Sequence, residues 1–205
     1  PKSRLLLADT NPKARNLALK MGFAEEDICG NYKDLICKAD IVDIATASDS
    51  HYSIAVESLR SKIPTLIEKP AVKVLNEAKI LCELSENDCP PVQIQFLLRA
   101  HPLVIESKKI LKSGEIGRLL ALDGIFTGWK RMRPDSNILE NDGVHMLDLM
   151  RFFVGVKPDK FDVIGDKLLG GRVPETIHLR LDYPKQVKGY LRLGILFGGK
   201  QSDPY

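Results

Sequence analysis

The chain has 205 residues, 30 Lys plus Arg against 27 Asp plus Glu, and 44% hydrophobic residues, which is enough to bury a sizeable core in one large domain or two small ones and excludes collagen-like, disordered and coiled-coil classes. A formal net charge of +3, with no basic run longer than Lys130-Arg131 and the neighbouring Arg133, gives no electrostatic case for nucleic acid or an anionic membrane surface. Small-molecule chemistry is the expectation that remains.

The longest apolar stretches, at residues 5–8 and 116–122, fall far short of the ~20 residues that a membrane helix needs. The opening Pro1-Lys2-Ser3-Arg4 has neither an initiator Met nor a signal-type apolar region, so the sequence predicts a cytoplasmic protein whose start lies upstream. Cys29, Cys37, Cys82 and Cys89 show no CxxC spacing, and reduced thiols are expected rather than zinc.

In chain order, residues 4–8 form a short apolar strand candidate. Asp9-Thr10-Asn11-Pro12 then supplies helix-capping side chains and a proline suited to the first helical turn. Ala14, Leu17, Ala18 and Met21 recur at helical spacing, with Gly22 where a C-terminal glycine belongs. A nearly all-apolar strand is predicted at 41–46, with the character of a strand covered on both faces. A helix follows from Ser50-His51 through Leu59. The alternation continues with a strand at 64–67, a helix at 76–86, a strand at 92–97 and a helix at 102–113 stopped by Gly114. Strand and helix in turn predict a doubly wound parallel sheet. After Gly117 the segments 119–127, 160–166, 176–183 and 186–196 read as longer strands around a single helix at 142–154. The expectation is an α+β domain with an open, mostly antiparallel sheet, giving domains at 1–115 and 116–205.

Four segments could carry chemistry. Asp9 ends a strand, where an acid accepts hydrogen bonds from an adenosine ribose in dinucleotide-binding folds, or where it caps the following helix. Gly194 to Lys200 matches part of a phosphate-binding loop, but Gln201 stands where a Ser or Thr is needed, and the match is rejected. Glu68-Lys69-Pro70 closes a buried strand: the lysine either serves a substrate hydroxyl or belongs to a surface pair. Asp142, His145 and Asp148 share one helical face. They make either an acid/base arrangement with an oriented imidazole, or an N-cap, a half-buried histidine and an Asp148–Arg151 pair; a metal site is not favoured.

These motifs, with Ala8-Asp9-Thr10-Asn11-Pro12, Asp43-Ile44-Ala45-Thr46 followed by His51, and Ser113-Gly114-Glu115-Ile116-Gly117, stand in an order and spacing that resemble the glucose-fructose oxidoreductase, inositol dehydrogenase and rhizopine-catabolism (Gfo/Idh/MocA) group. The resemblance implies a Rossmann domain holding NAD, with NADP as the alternative, joined to a second domain whose open sheet makes a homo-oligomer interface. It implies that Lys69 lies near the nicotinamide and reacting carbon and that His145 handles the hydroxyl proton. Thr46 and His51 would lie on the loop approaching the cofactor, and Glu68 on its ribose side. Arg99, His101 and Trp129-Lys130-Arg131 would contact a polyol substrate. Many members carry Asp four residues before the histidine; here that place is Asn141, a residue familiar at this position among sugar-nucleotide members, with Asp142 one residue later as the candidate orienting acid.

The glycine-rich turn that completes such a fold is expected upstream of Pro1. Asp9, followed by Thr10 and Asn11, favours NAD over NADP because no adjacent cation would neutralise a 2′-phosphate. The implied activity is oxidation or reduction of a secondary hydroxyl or keto group on a sugar, cyclitol or related polyol. A dinucleotide-binding regulator of the same fold, or a redox-assisted glycosidase or epimerase, are the alternatives.

Overall fold

The computed structural model describes residues 3–86, 90–128, 137–170 and 172–196. The chain divides into two compact units, Pro1–Gln95 and Phe96–Tyr205, so the division falls well before residue 115.

In the first unit, β1 (Leu7–Ala8) leads into α1 (Pro12–Lys20). Asn11, not Asp9, caps α1 by accepting from Lys13 N at 2.9 Å, and Pro12 occupies the first turn, where a missing N–H costs nothing. Gly22 (φ +95°) takes the left-handed position after the helix. Two short elements with no counterpart among the sequence expectations follow, β2 (Ile28–Cys29) and α2 (Lys33–Ile36). Neither spans enough residues to show a period. Then come β3 (Val42–Ile44), α3 (Ser48–Arg60), β4 (Thr65–Glu68), α4 (Leu75–Ser85) and β5 (Val92–Gln95).

All pairings in this unit are parallel: β1 with β2, and β4 between β3 and β5. Ile44 pairs with Ile67, and both are buried against Ile54, Ala55 and Leu59 of α3 and Leu81 of α4. Asp43 is exposed, so β3 is covered on the Ile44 face rather than on both faces. The α3 helix starts at Ser48, earlier than expected, which places His51 inside its first turns.

The second unit opens with a 3-10 turn at Leu97–Ala100 and α5 (Pro102–Ser113). Gly114 (φ +77°) ends α5 in the left-handed conformation that glycine adopts without a Cβ penalty. After β6 (Ala121–Thr127), a π-helical turn at Leu139–Gly143 runs into α6 (Val144–Val154), followed by β7 (Lys160–Asp166), β8 (Thr176–Asp182) and β9 (Lys188–Gly194). The sheet order is β6-β9-β8-β7. The β7–β8 and β8–β9 pairs are antiparallel while β6–β9 is parallel, so the sheet is mixed.

Met150 of α6 packs with Ile177, Leu179, Leu181, Leu191 and Leu193 on one face of this sheet. A Cβ at Gly143 would come within 2.8 Å of the Leu193 side chain, so glycine lets the chain enter α6 this close to β9. No helix among the described residues is long and apolar enough to cross a membrane. Leu193 is fully buried at 0% exposure. Leu193→Ala should cost about 2–5 kcal/mol by leaving a cavity beneath α6, measured as a lower denaturant midpoint with an unchanged slope.

Candidate functional site

In a parallel sheet, ligands bind beyond the carboxyl ends of the strands, and the first unit collects its chemistry-bearing residues there. At the end of β1, Asp9 Oδ1 accepts from Asn11 N at 2.7 Å. Its backbone oxygen accepts from Arg15 Nη1 at 2.6 Å. A cation one turn into α1 thus returns to Asp9, a neighbour that reading only the adjacent residues misses. Past β3, the Thr46 and Ser50 hydroxyls share a hydrogen bond of 2.7 Å, and Ser50 Oγ also donates to Ala47 O at 2.8 Å. Past β4, Lys69 N donates to Glu68 Oε2 at 3.1 Å; the Lys69–Pro70 peptide is cis.

His51 joins the last two segments. Its ring is 1% exposed, with Nε2 at 2.8 Å from Thr46 O and Nδ1 at 2.9 Å from Pro70 O. Both partners are carbonyl oxygens, and an imidazole with one N–H donates to only one of them. The sequence placed His51 on a cofactor-facing loop; the structure buries it in α3 with each ring nitrogen against backbone. Thr46, Glu68 and Lys69 remain the groups at the strand ends, with Asp9 at the end of β1.

In the second unit, the approach to α6 is set by a reciprocal cap. Asn137 Oδ1 accepts from Glu140 N at 3.0 Å, and Glu140 Oε2 accepts from Asn137 N at 3.3 Å, a capping box in which each side chain satisfies the other's backbone donor. Asp142 is therefore not an N-cap. Asn141 and Asp142 lie in the π-helical turn and His145 in the first turn of α6, all half-buried.

Asp148, one turn further, is buried and takes a two-pronged hydrogen bond from Arg99: Nε to Oδ2 at 2.7 Å and Nη2 to Oδ1 at 2.5 Å. The expected Asp148–Arg151 surface pair is replaced by this contact, because burial of the carboxylate demands a strong partner. Arg99, expected at substrate, is instead committed to Asp148, and its guanidinium stacks over the Phe96 and Phe152 rings at 5.5 and 5.4 Å. The hydrogen bonds it donates to Asp148 make this guanidinium more basic than usual.

Lys108 of α5 donates to the Phe152 and Phe153 carbonyls at 2.5 and 2.9 Å, satisfying the last carbonyls of α6. Burial lowers its ammonium below the ordinary lysine range, and Lys112 adds repulsion. His101 caps α5, its Nδ1 accepting from Leu103 N at 3.2 Å. Trp129, Lys130 and Arg131 lie outside the described residues. Among the described residues no group of three His, Cys, Asp or Glu side chains could hold a metal ion.

Comparison with known proteins places this arrangement. A family described as "Oxidoreductase family, NAD-binding Rossmann fold" matches residues 2–96, and the GFO/IDH/MocA C-terminal domain matches residues 104–204. The chain belongs to the GFO/IDH/MocA oxidoreductase family. It is 32% identical over 121 residues to inositol 2-dehydrogenase 2 of Saccharopolyspora erythraea, covering 58% of this chain and 36% of that protein. It is 26% identical over 213 residues to levoglucosan dehydrogenase of Pseudarthrobacter phenanthrenivorans, covering 96% of this chain and 51% of that protein. The chain therefore spans about half, or less, of the length of these curated relatives.

Among solved structures, a levoglucosan dehydrogenase in complex with NADH and levoglucosan has a TM-score of 0.85 at 20% identity, covering 96% of this chain and 59% of that one. An oxidoreductase from Agrobacterium radiobacter in complex with NAD+, L-tartaric acid and magnesium also has a TM-score of 0.85, at 22% identity, covering 95% of this chain and 60% of that one. These likenesses establish the fold.

Arg99→Ala should destabilise the protein by about 1–3 kcal/mol, the cost of leaving the buried Asp148 carboxylate without its donors. Arg99→Ala combined with Asp148→Leu should recover part of that loss in thermal unfolding.

Proposed function

We propose that this chain works in an NAD-dependent dehydrogenase that oxidises a secondary hydroxyl of a sugar, cyclitol or related polyol, or reduces the corresponding ketone. The observation that carries the reading is Lys69 at the carboxyl end of β4, beside Glu68 and tied through Pro70 and His51 to Thr46, in a chain matched by both halves of an oxidoreductase family. The naming of relatives as inositol 2-dehydrogenase, levoglucosan dehydrogenase and D-apiose dehydrogenase supports the substrate class.

The first unit fits a dinucleotide. A carboxylate at the end of β1 can accept from ribose hydroxyls, and Thr46, Glu68 and Lys69 stand at strand ends of the kind where parallel sheets bind nucleotides. When bound, NAD supplies the acceptor for the hydride of the carbinol carbon. Lys69 donates a hydrogen bond to the substrate oxygen, favouring it as it becomes a carbonyl oxygen. His145 takes the hydroxyl proton, with Asp142 or Asn141 orienting its ring. NAD is preferred because the Asp9 carboxylate repels a 2′-phosphate; Arg15, held at the Asp9 carbonyl, is the group that would soften this preference.

The reading also includes a cytoplasmic location and a homo-oligomer formed through the open face of the β6-β9-β8-β7 sheet. On that face the rows Asp162–Arg180–Tyr190–Asp123 and Ile164–His178–Arg192–Ile125 lie side by side. Exposed Ile125, Ile164 and Tyr190 stand among charges of both signs, a composition that a second copy can complement.

In the full-length protein, Lys69→Ala and His145→Ala should each lower kcat by roughly 10²–10⁴ with levoglucosan, myo-inositol or D-apiose as substrate. Calorimetric NAD affinity should stay within a few-fold and exceed that for NADP. Near-wild-type turnover in both variants would remove the dehydrogenase reading and favour a dinucleotide-sensing role. For assembly, Ile125→Asp with Ile164→Asp should shift the sedimentation coefficient toward that of the monomer.

A further inference from the structure

We propose that His51 is a positioning residue for Lys69: it never meets substrate, and it sets where the lysine stands by holding the two strand-end segments at a fixed separation. The inference rests on the reading of Lys69 as a proton-handling or substrate-binding group. Its basis is the placement of one rigid ring. With the side chain 1% exposed, Nε2 lies 2.8 Å from Thr46 O, just past β3, and Nδ1 lies 2.9 Å from Pro70 O, the residue directly after Lys69. The two nitrogens point in different directions from a planar five-membered ring. The ring donates its one N–H to one of these carbonyls and is in close contact with the other, so it acts as a rigid spacer that keeps the two segments apart by its own covalent width.

Lys69 is held from its other side as well, its backbone N–H donating to the Glu68 carboxylate at 3.1 Å. The far ends of this brace are anchored too. Thr46 shares a 2.7 Å hydrogen bond with Ser50, and an ion pair of 2.7 Å joins Lys73 to Asp49 on α3. An apolar side chain at position 51 would fill the space beside Ile54 and Ala55 at no polar cost, whereas a buried imidazole carries a cost that its one N–H···O=C bond must offset. The buried ring thus bonds one strand-end carbonyl and spaces the other, and Lys69, next to Pro70, is the chemical group whose position this sets.

The test is a double-mutant cycle on the full-length protein with NAD and the best substrate among levoglucosan, myo-inositol and D-apiose. His51→Ala should lower kcat roughly 10–100-fold, the scale expected when a reacting group is misplaced by about an ångström. KM for the polyol and calorimetric NAD affinity should move by no more than a few-fold. In a Lys69→Ala background the same substitution should have almost no further effect on kcat, because the two residues act as one unit. Independently of activity, amide hydrogen exchange should accelerate at residues 46–48 and 69–72 while β4 and β5 stay protected. If His51→Ala proves poorly folded, His51→Gln, which keeps an N–H donor but on a flexible stem in place of a rigid ring, should give an intermediate loss in both readouts.

Equal fold-losses in the wild-type and Lys69→Ala backgrounds, or unchanged exchange at 69–72, would overturn the proposal and leave His51 an ordinary core residue. If Lys69→Ala itself leaves turnover intact, the functional reading has failed, and the exchange result alone then decides whether His51 holds the Lys69 segment.

Discussion

The register between β3 and β4 is the constraint on which the candidate site depends. Ile44 pairs with Ile67, both sealed under α3, and the residues two further along each strand are Thr46 and Lys69. Side chains alternate along a strand, so a slip of one residue would turn Ile67 away from α3 and exchange the facings of Glu68 and Lys69. The apolar burial that holds the strands together is therefore the same interaction that chooses which polar groups arrive at the sheet edge. His51 extends this control beyond the last paired residues, where the ladder can no longer impose it.

The second unit solves the comparable problem for a helix. His145 sits in the first turn of α6, and α6 is fixed by three kinds of contact. Met150 packs among the inward residues of β8 and β9, Gly143 allows the chain close to Leu193, and the Arg99–Asp148 and Lys108–Phe152 contacts tie the helix to the segment 97–113. Packing supplies most of the energy, while the charged contacts add direction: a two-pronged guanidinium–carboxylate pair fixes both distance and plane. These contacts account for the grouping of α5 with the second unit, although its sequence continues the strand-helix alternation of the first.

Long periodic elements were legible in the sequence. The α5 helix, stopped by Gly114, the β7 strand and the end of α6 at Val154 lie where the sequence places them, and the motif at Glu68-Lys69-Pro70 lies at a strand end as expected. What escaped reading was short or depended on distant partners. The β2 strand and α2 carry no period, the parallel β6–β9 pair is set by residues far apart in sequence, and the capping box at Asn137 and Glu140 was passed over for the nearer Asp142. Asp148 looked like a partner for Arg151 because i,i+3 spacing is visible in sequence, whereas Arg99, 49 positions away, is not. His51 was expected on a cofactor-facing loop, and its burial between two carbonyls was not legible, since those partners become neighbours only when β3 and β4 pair.

The central claim is that this chain supports transfer of a hydride from a carbinol carbon to NAD. It is tested most directly by giving the full-length protein NAD and levoglucosan, myo-inositol or D-apiose deuterated at every carbinol carbon, then recovering the nicotinamide for mass spectrometry. The account predicts NADH carrying one deuterium from at least one of these substrates, with the rate of labelling falling roughly 10²–10⁴-fold when Lys69 or His145 is replaced by alanine. Bound dinucleotide that acquires no deuterium from any of the three would contradict it.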